Sequence, residues 1–300
     1  MATLREIRRR IVGVKSTAKI TQAMKMVAAA KLRRAQDSIG AARPYARALE
    51  GLLKNLLQSA SLESARSPLL VGRKQDEKQR VLLLVITSDR GLAGAFNSGL
   101  LKFAEGRIRD YYQEHKDSDR LTIIPVGRRA TDYFTKRGYK LPGKYPGIFT
   151  KLQFDTAREI TAFVTDLYNR GEVDHVDIIF NEFRSVVSQR PIAERLMPVL
   201  DPSGFVEGGG EPERDYIYEP DPISILDVLV PRHLETMVWR ALLESNAAEQ
   251  GARMTAMDSA TRNARDLVNA LQLSFNKARQ AAITKEILEI VGGAEALAKG

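Results

Sequence analysis

The sequence predicts an α/β protein that combines a long antiparallel two-helix coiled coil, formed by its N- and C-terminal helices, with a Rossmann-like α/β domain. Two observations support this prediction. Residues 232–291 contain no proline and one glycine, Gly251, so nearly every residue type that ends a helix is missing. Residues 81–183 instead alternate short apolar runs with helical patterns, which is typical of a mostly parallel sheet with helices on its faces.

The C-terminal run is too long for the core of its own domain. At a rise of ~1.5 Å per residue it would span roughly 90 Å, whereas a compact globule of this chain length has a diameter of roughly 50 Å. We therefore expect this helix to project and to need a partner.

The first sixty residues supply that partner. Small or apolar residues recur at alternating steps of three and four from Leu4 to Leu56, and Thr21 and Lys25 fall on the same stripe. A 3.5-residue repeat of this length is typical of a left-handed coiled coil. Two ordinary core helices of a bundle are the alternative, which the length of the helices disfavours. The residues expected to face the seam include Ile11, Ala18, Leu32, Val268, Leu271 and Phe275.

Local signals set the remaining boundaries. Thr3 and Glu6 fit a capping box at the start of the first helix. Asp221 and Pro222 fit the N-cap and first position of the last helix, which Pro231 is expected to kink or interrupt. The predicted ranges are 1–58 for the N-terminal helix, 59–80 for a linker, 81–212 for the α/β domain and 213–300 for the C-terminal helix.

Three apolar runs in the middle region predict buried strands, at 81–86, 121–126 and 176–180. The patterns between and after them predict the domain's helices. Asp155 is expected to cap the last of these. The expected helices cover 98–115, 128–137 and 155–170.

Composition excludes several classes of function. The chain has no cysteine, which excludes disulfides, thiolate metal sites and thiol redox control. No apolar run approaches the ~18 residues of a membrane helix, and the first residues lack the apolar segment of a secretory signal, so we expect a cytosolic face. The three histidines, His115, His175 and His233, show no metal-ligand spacing and are expected at the surface.

The loop after the first strand is where an α/β fold would bind a nucleotide. It contains Gly91 and Gly94 but neither of the common phosphate-binding glycine patterns. Asp89 and Arg90 could serve a site or a turn. No nucleophile or metalloprotease motif is present, so we predict neither catalysis nor a cofactor, and nucleotide binding by the middle domain stays an alternative.

The N-terminal helix is strongly basic. Residues 1–60 carry thirteen lysines and arginines against three acidic residues, in a chain of net charge +9. This positive charge indicates binding either to an acidic protein or to nucleic acid. The first 44 residues contain no aromatic side chain on which bases could stack. Binding to nucleic acid through a basic coiled coil therefore stays the alternative function.

Apolar residues outside the seam indicate that another molecule surrounds the helix pair. They include Met24, Met26, Met254, Ile283, Ile287 and Ile290.

Several stretches resemble the γ subunits of the F-type ATP synthases. The family's C-terminal signature is matched by Ile283-Thr284-x-Glu286-x-x-Glu289-x-x-x-Gly293-Ala294-x-Ala296. Further matches are 19–29 in the first helix, 88–94 after the first strand, 218–222 before the last helix and 276–281 within it. The chain departs from the family at Ala93, often a cysteine there, and at Gly251, usually a helix former.

The resemblance implies a rotor shaft inside a hexamer of α and β subunits, which drives the catalytic β subunits through their states without binding ATP itself. It implies one copy per complex, no nucleic acid partner, and a peripheral position on the cytoplasmic face of the bacterial plasma membrane. The partner-binding residues that it implies are Arg279, Gln280, Thr284 and Met24 for the β subunits, and Tyr216, Tyr218 and Glu219 for the membrane c ring and the ε subunit.

Overall fold

A computed structural model describes residues 3–59, 68–72, 79–199 and 218–298. It contains two long helices, several shorter helices and one sheet. The chain divides into two compact units, one made of residues 1–28 and 254–300 and the other of residues 29–253. The helices are α1 (Leu4–Ser59), α2 (Pro68–Val71), α3 (Phe96–Tyr111), α4 (Gln113–Asp117), α5 (Arg128–Lys136), α6 (Phe154–Asn169) and α7 (Pro222–Ala298). The strands are β1 (Val81–Ile86), β2 (Leu121–Val126), β3 (His175–Phe183) and β4 (Gln189–Met197).

In the first unit, the two chain ends pair antiparallel, as predicted. The hydroxyl groups of Thr21 and Thr261 lie 2.7 Å apart, and Lys25 Nζ lies 2.6 Å from Asp258 Oδ1. The residue number on α7 falls as the number on α1 rises, which defines the antiparallel direction. The predicted seam positions are buried or half-buried in this unit. On α7 they are Met257, Ala264, Val268, Leu271, Phe275, Ala278 and Ala282.

Both long helices begin as the sequence indicates. The Thr3 backbone N–H donates to Glu6 Oε2 at 2.9 Å, and the Glu6 N–H donates to Thr3 Oγ1 at 3.3 Å, which is the reciprocal capping box. Asp221 Oδ1 accepts two backbone N–H groups of the first turn of α7, each at 3.0 Å.

Of the kink or break expected at Pro231, the break does not occur, because α7 continues through the proline. Leu226 and Val230 before the proline and Leu234 after it are almost fully buried in the core. Their burial offsets the hydrogen bond that the proline removes.

The second unit contains a four-stranded sheet in the order β2-β1-β3-β4. β1 is parallel to β2 and β3, whereas β4 runs antiparallel to β3. Side chains of β1 alternate between the two faces of the sheet. Leu82, Leu84 and Ile86 pack with α6, the end of α1 and the start of α7, whereas Val81, Leu83 and Val85 pack with α3 and α5. The sheet is therefore covered on both faces, which confirms the Rossmann-like prediction.

Three local differences separate the structure from the sequence-based expectation. The strand β4 was not expected; it is an edge strand that contains Pro191. The expected helix 98–115 is divided at Tyr112 into α3 and α4. Asp155 does not cap α6, because the helix begins one residue earlier and its N-cap is Gln153.

The predicted linker 59–80 contains the short helix α2. Leu69 and Leu70 of this helix are buried in the same core as Leu84 and Ile178. Among the described residues, no helix combines the length and the apolar character that crossing a bilayer requires.

Candidate functional site

The outer end of α7 extends past the start of α1. With Thr21 opposite Thr261, the alternating seam steps place Leu4 opposite Ala278. No described residue of α1 therefore lies opposite the segment of α7 that follows Ala278. Every described side chain from 283 to 294 is exposed.

The sequence itself changes where the partner helix ends. The next two seam positions after Ala282 are Lys285 and Glu289, which are both exposed. They form an i,i+4 ion pair in which Lys285 Nζ lies 3.5 Å from Glu289 Oε1. The apolar residues move to another face, where large side chains are 48–71% exposed. This exposed apolar face consists of Ile283, Ile287, Leu288, Ile290 and Val291.

Three of the predicted β-subunit contacts lie on this same segment. Arg279, Gln280 and Thr284 are all exposed, and the spacing of Gln280 and Thr284 places these two on one side of the helix. The segment thus combines a guanidinium, an amide and a hydroxyl with the exposed apolar face. Such a surface suits a partner that offers both hydrogen-bond acceptors and apolar contacts.

Met24, the fourth predicted contact, lies on α1 and is half-buried. It belongs to a second apolar stripe, one residue removed from the seam, in which Ile20 and Val27 are 57% and 56% exposed. Apolar surface is therefore present outside the seam on both helices of the first unit.

Two of the three predicted contacts with the c ring and the ε subunit lie among the described residues of the second unit. Tyr218 is half-buried and packs against the core, and Glu219 is exposed. Tyr216 lies outside the described residues.

The loop after β1, a candidate nucleotide site, uses its polar groups within the fold. The Asp89 carboxylate accepts three backbone N–H groups, from Arg128 at 2.9 Å, Gly147 at 2.6 Å and Phe149 at 3.0 Å. Ser88 and Asn97 hydrogen-bond to each other. Asp89 therefore holds a turn together, which is the second of the two roles that the sequence left open.

The same loop is fastened to α7. Arg253 Nη1 donates to the Gly91 carbonyl at 2.6 Å, and Arg253 also pairs with Glu249 one turn earlier. Beside this contact, Ala93 and Phe96 pack on Ala248. These contacts fasten the loop after β1 within the second unit.

Sequence reasoning missed a buried polar cluster at the start of β3, which lies at the opposite end of the parallel strands from the loop after β1. Asp177 accepts a hydrogen bond from the Tyr112 hydroxyl at 2.6 Å, lies 2.7 Å from the His175 ring nitrogen Nε2 and is 3.3 Å from Arg195 Nε. Burial by itself raises the pKa of Asp177, but the His175, Tyr112 and Arg195 interactions together lower this pKa below its ordinary value.

A signal for this cluster was present, since Asp177 is a charged residue inside an apolar strand run. The expectation that all three histidines lie at the surface is wrong for His175, whose side chain is 12% exposed. Within the described ranges, no group of histidine and acidic side chains is arranged to hold a metal ion.

Comparison with known proteins gives full-length matches. A family model described as "ATP synthase" matches residues 3–297. The ATP synthase gamma chain of Chloroherpeton thalassium is 53% identical over 305 residues, covering 99% of both chains. That of Prosthecochloris aestuarii is 53% identical over 298 residues, again covering 99% of both.

Solved structures show the same fold at lower identity. A chain of the Euglena gracilis mitochondrial ATP synthase, in a structure of its OSCP/F1/c-ring part, superposes with a TM-score of 0.67 at 21% identity, covering 98% of this chain and 94% of that one. A chain of the central stalk and c-ring structure of the Tetrahymena thermophila enzyme has a TM-score of 0.58 at 24% identity, covering 80% and 99%.

Proposed function

The chain belongs to the ATP synthase gamma chain family, and we propose that it is the rotor shaft that couples proton flow through a membrane c ring to conformational cycling of catalytic β subunits. The observation that carries this proposal is the exposed outer end of α7, which continues beyond its partner helix with an apolar face and adjacent polar groups. A soluble chain exposes such a surface at a cost, so a surrounding partner is expected.

We assign the outer end of the first unit to the α and β subunits. Arg279, Gln280 and Thr284 would bind a loop of a β subunit, with Met24 contributing from α1. A guanidinium forms charge-assisted hydrogen bonds that depend strongly on geometry. Contacts of this kind can favour one rotary position of the shaft over another, which is what coupling requires.

We assign Tyr218 and Glu219, together with Tyr216, to contacts with the c ring and the ε subunit. One copy of the chain per complex follows from its role, because a single asymmetric shaft must present a different face to each catalytic subunit. We propose a peripheral position at the cytoplasmic face of the bacterial plasma membrane.

We further propose that the chain is not itself catalytic and binds no ATP. The three backbone N–H groups that the Asp89 carboxylate already accepts and the packing of Ala248 against Ala93 and Phe96 support this. The family comparisons give no support to the nucleic-acid alternative.

Co-expression with the α, β and ε subunits tests the assignment. We expect a complex with one copy of this chain per three β subunits and ATP hydrolysis that is coupled to proton pumping after joining to a c ring. Failure of the full chain to enter such a complex would contradict the proposal. A DNA affinity that falls steeply with salt would point to the nucleic-acid alternative instead.

A further inference from the structure

Leu92, in the loop after β1, has a backbone conformation that leucine rarely adopts. Its φ angle is +64°, in the left-handed region, where the Cβ atom of an L-amino acid crowds the backbone. The other described residues with a positive φ are six glycines and Asp119, and both residue types tolerate this region. For a residue such as leucine the conformation is disfavoured by about 5- to 30-fold. The fold therefore holds Leu92 against its own backbone preference.

The Leu92 side chain is also largely outside the core of its own unit. It is 68% exposed, whereas Ala93 and Phe96, which follow it, are 2% and 6% exposed and pack on Ala248. Asparagine or glycine would suit the backbone at this position better and would lose little apolar packing. A single exposed leucine is ordinary, but one that is also held in a disfavoured conformation indicates a role outside the fold.

The backbone on the N-terminal side of Leu92 is fixed by hydrogen bonds. The Gly91 carbonyl accepts a hydrogen bond from Arg253 Nη1 at 2.6 Å, and the Arg253 side chain is only 12% exposed. The Arg90 carbonyl accepts one from the Ser88 hydroxyl at 2.7 Å. With Ala93 buried on the other side, the loop presents Leu92 in one place. A side chain that is presented in this way loses little conformational freedom when a partner binds it.

We propose that Leu92 is a partner-contact residue whose side chain enters an apolar pocket of a subunit that encloses α7. The proposal rests on the proposed function of the chain. Leucine offers neither charge nor a side-chain hydrogen bond, so a pocket recognises it by removing its apolar surface from water. The position of the loop indicates which partner supplies the pocket. Arg253 fastens the loop to α7, and α7 continues unbroken past Arg253 to Ala298. A subunit that encloses the following turns of α7 would meet Leu92 beside Arg253.

Leu92→Asn separates the backbone of this residue from its side chain. Asparagine tolerates the left-handed region and removes most of the apolar surface. In urea unfolding of the full chain, we expect the unfolding equilibrium constant of this variant to equal that of the parent or to be lower. An increase of more than about fivefold would overturn the proposal, because Leu92 would then serve its own fold.

Two further variants serve as controls. Leu92→Met keeps an apolar side chain of similar volume in the same conformation. Asp119→Asn places the same new residue at the other described position that combines a positive φ with a residue other than glycine, and this position is also exposed.

Competition for assembly measures the proposed contact. Equal amounts of isotope-labelled parent chain and unlabelled variant are mixed with limiting purified α and β subunits, and the two chains are quantified in the isolated complex. We expect Leu92→Asn to be under-represented by about tenfold, as the loss of a buried leucine side chain allows. Leu92→Met and Asp119→Asn should be incorporated as well as the parent.

The outcomes separate this proposal from the proposed function. Equal incorporation of Leu92→Asn and the parent would overturn the role of Leu92 and leave the proposed function intact. A loss with Leu92→Met as large as that with Leu92→Asn would also overturn it, because an apolar pocket should accept methionine. If the parent chain itself entered no complex, the proposed function would fail and the role of Leu92 with it.

Discussion

In the second unit Phe134, Phe180 and Tyr168 are completely buried, whereas in the first unit Leu288 and Ile290 are 66% and 71% exposed. The two units also differ in how far their polar side chains are hydrogen-bonded within the chain. Asp89 accepts three backbone N–H groups within the second unit, whereas the Gln280 side chain is exposed and makes no hydrogen bond with the described residues of the first. The second unit buries its large side chains, whereas the first unit leaves apolar side chains exposed, which we propose that partner chains cover. Substitutions in the two units should therefore fail in different ways.

The largest effect is expected from the core of the second unit. Phe134→Ala should lower the free energy of unfolding by about 3–5 kcal/mol, because it removes a fully buried ring and leaves a cavity. The ring also makes edge contacts with Tyr133 and Tyr139. Urea unfolding followed by circular dichroism measures the change. Val268→Ala, in the thin seam of the first unit, is the comparison and should cost roughly 1 kcal/mol. Equal losses would remove the distinction between the units.

The next effect concerns the loop after β1. Asp89→Asn should lower the free energy of unfolding by about 1.5–3 kcal/mol, because an amide oxygen and an NH₂ group replace a carboxylate that accepts three backbone N–H groups. Asp132→Asn is the control, since Asp132 is exposed on α5 and should change stability by no more than about 0.5 kcal/mol. If Asp89→Asn were as mild as its control, the loop would be held by other contacts.

A pH effect should also arise from the second unit. Burial, with the Arg240 charge, lowers the pKa of His233, and burial with Arg120 lowers that of His115. The unfolded chain takes up these protons as the pH falls through about 6.5, before the folded chain does, so folding stability decreases below that pH. Above it both states are neutral and the contribution is constant.

His233→Gln measures this contribution, because glutamine cannot take up the proton. The stability of the variant should fall less than that of the parent between pH 7 and the lower pKa of the folded histidine. Glu244 and Glu249, whose pKa values burial raises, act in the opposite direction, but they are present in both proteins and cancel in the difference. Parallel profiles for the two proteins would show that His233 titrates alike in both states.

The features that the sequence predicted are those encoded by neighbours along the chain. The seam repeats every three or four residues, and Thr3 with Glu6 lie three apart, so both could be identified locally. The strand β4 could not, because Pro191 and alternating polar residues are acceptable only at a sheet edge, whose position depends on the whole fold.

The same reasoning applies to the sites. The Asp177 cluster joins residues of β3, Arg195 of β4 and Tyr112 at the junction of α3 and α4, so its partners were not foreseeable from spacing. Pro231 stays inside α7 because core packing on both sides outweighs a local preference. The exposure of Arg279 and Gln280 was predictable, since a two-helix pair has no core beyond its seam.

The smallest effect on stability, and the most specific effect on function, is expected at the outer end of α7. Arg279→Ala should change the free energy of unfolding by no more than about 0.5 kcal/mol, because its side chain is exposed. In the assembled complex the same change should weaken proton pumping relative to ATP hydrolysis, since a well-placed guanidinium contributes roughly 1.5–3 kcal/mol to hydrogen bonds with a partner.

Gln280→Ala should act in the same direction as Arg279→Ala but more weakly, because the amide is uncharged. The control is Arg109→Ala in the second unit, where another exposed arginine pairs with its neighbour Asp110. Pumping and hydrolysis by reconstituted complexes, measured with the thermal unfolding of each variant chain, separate coupling from folding. If Arg279→Ala and Arg109→Ala gave the same pumping at unchanged stability, Arg279 would be an ordinary solvated residue, and the partner contact would have to come from the apolar face of α7 alone.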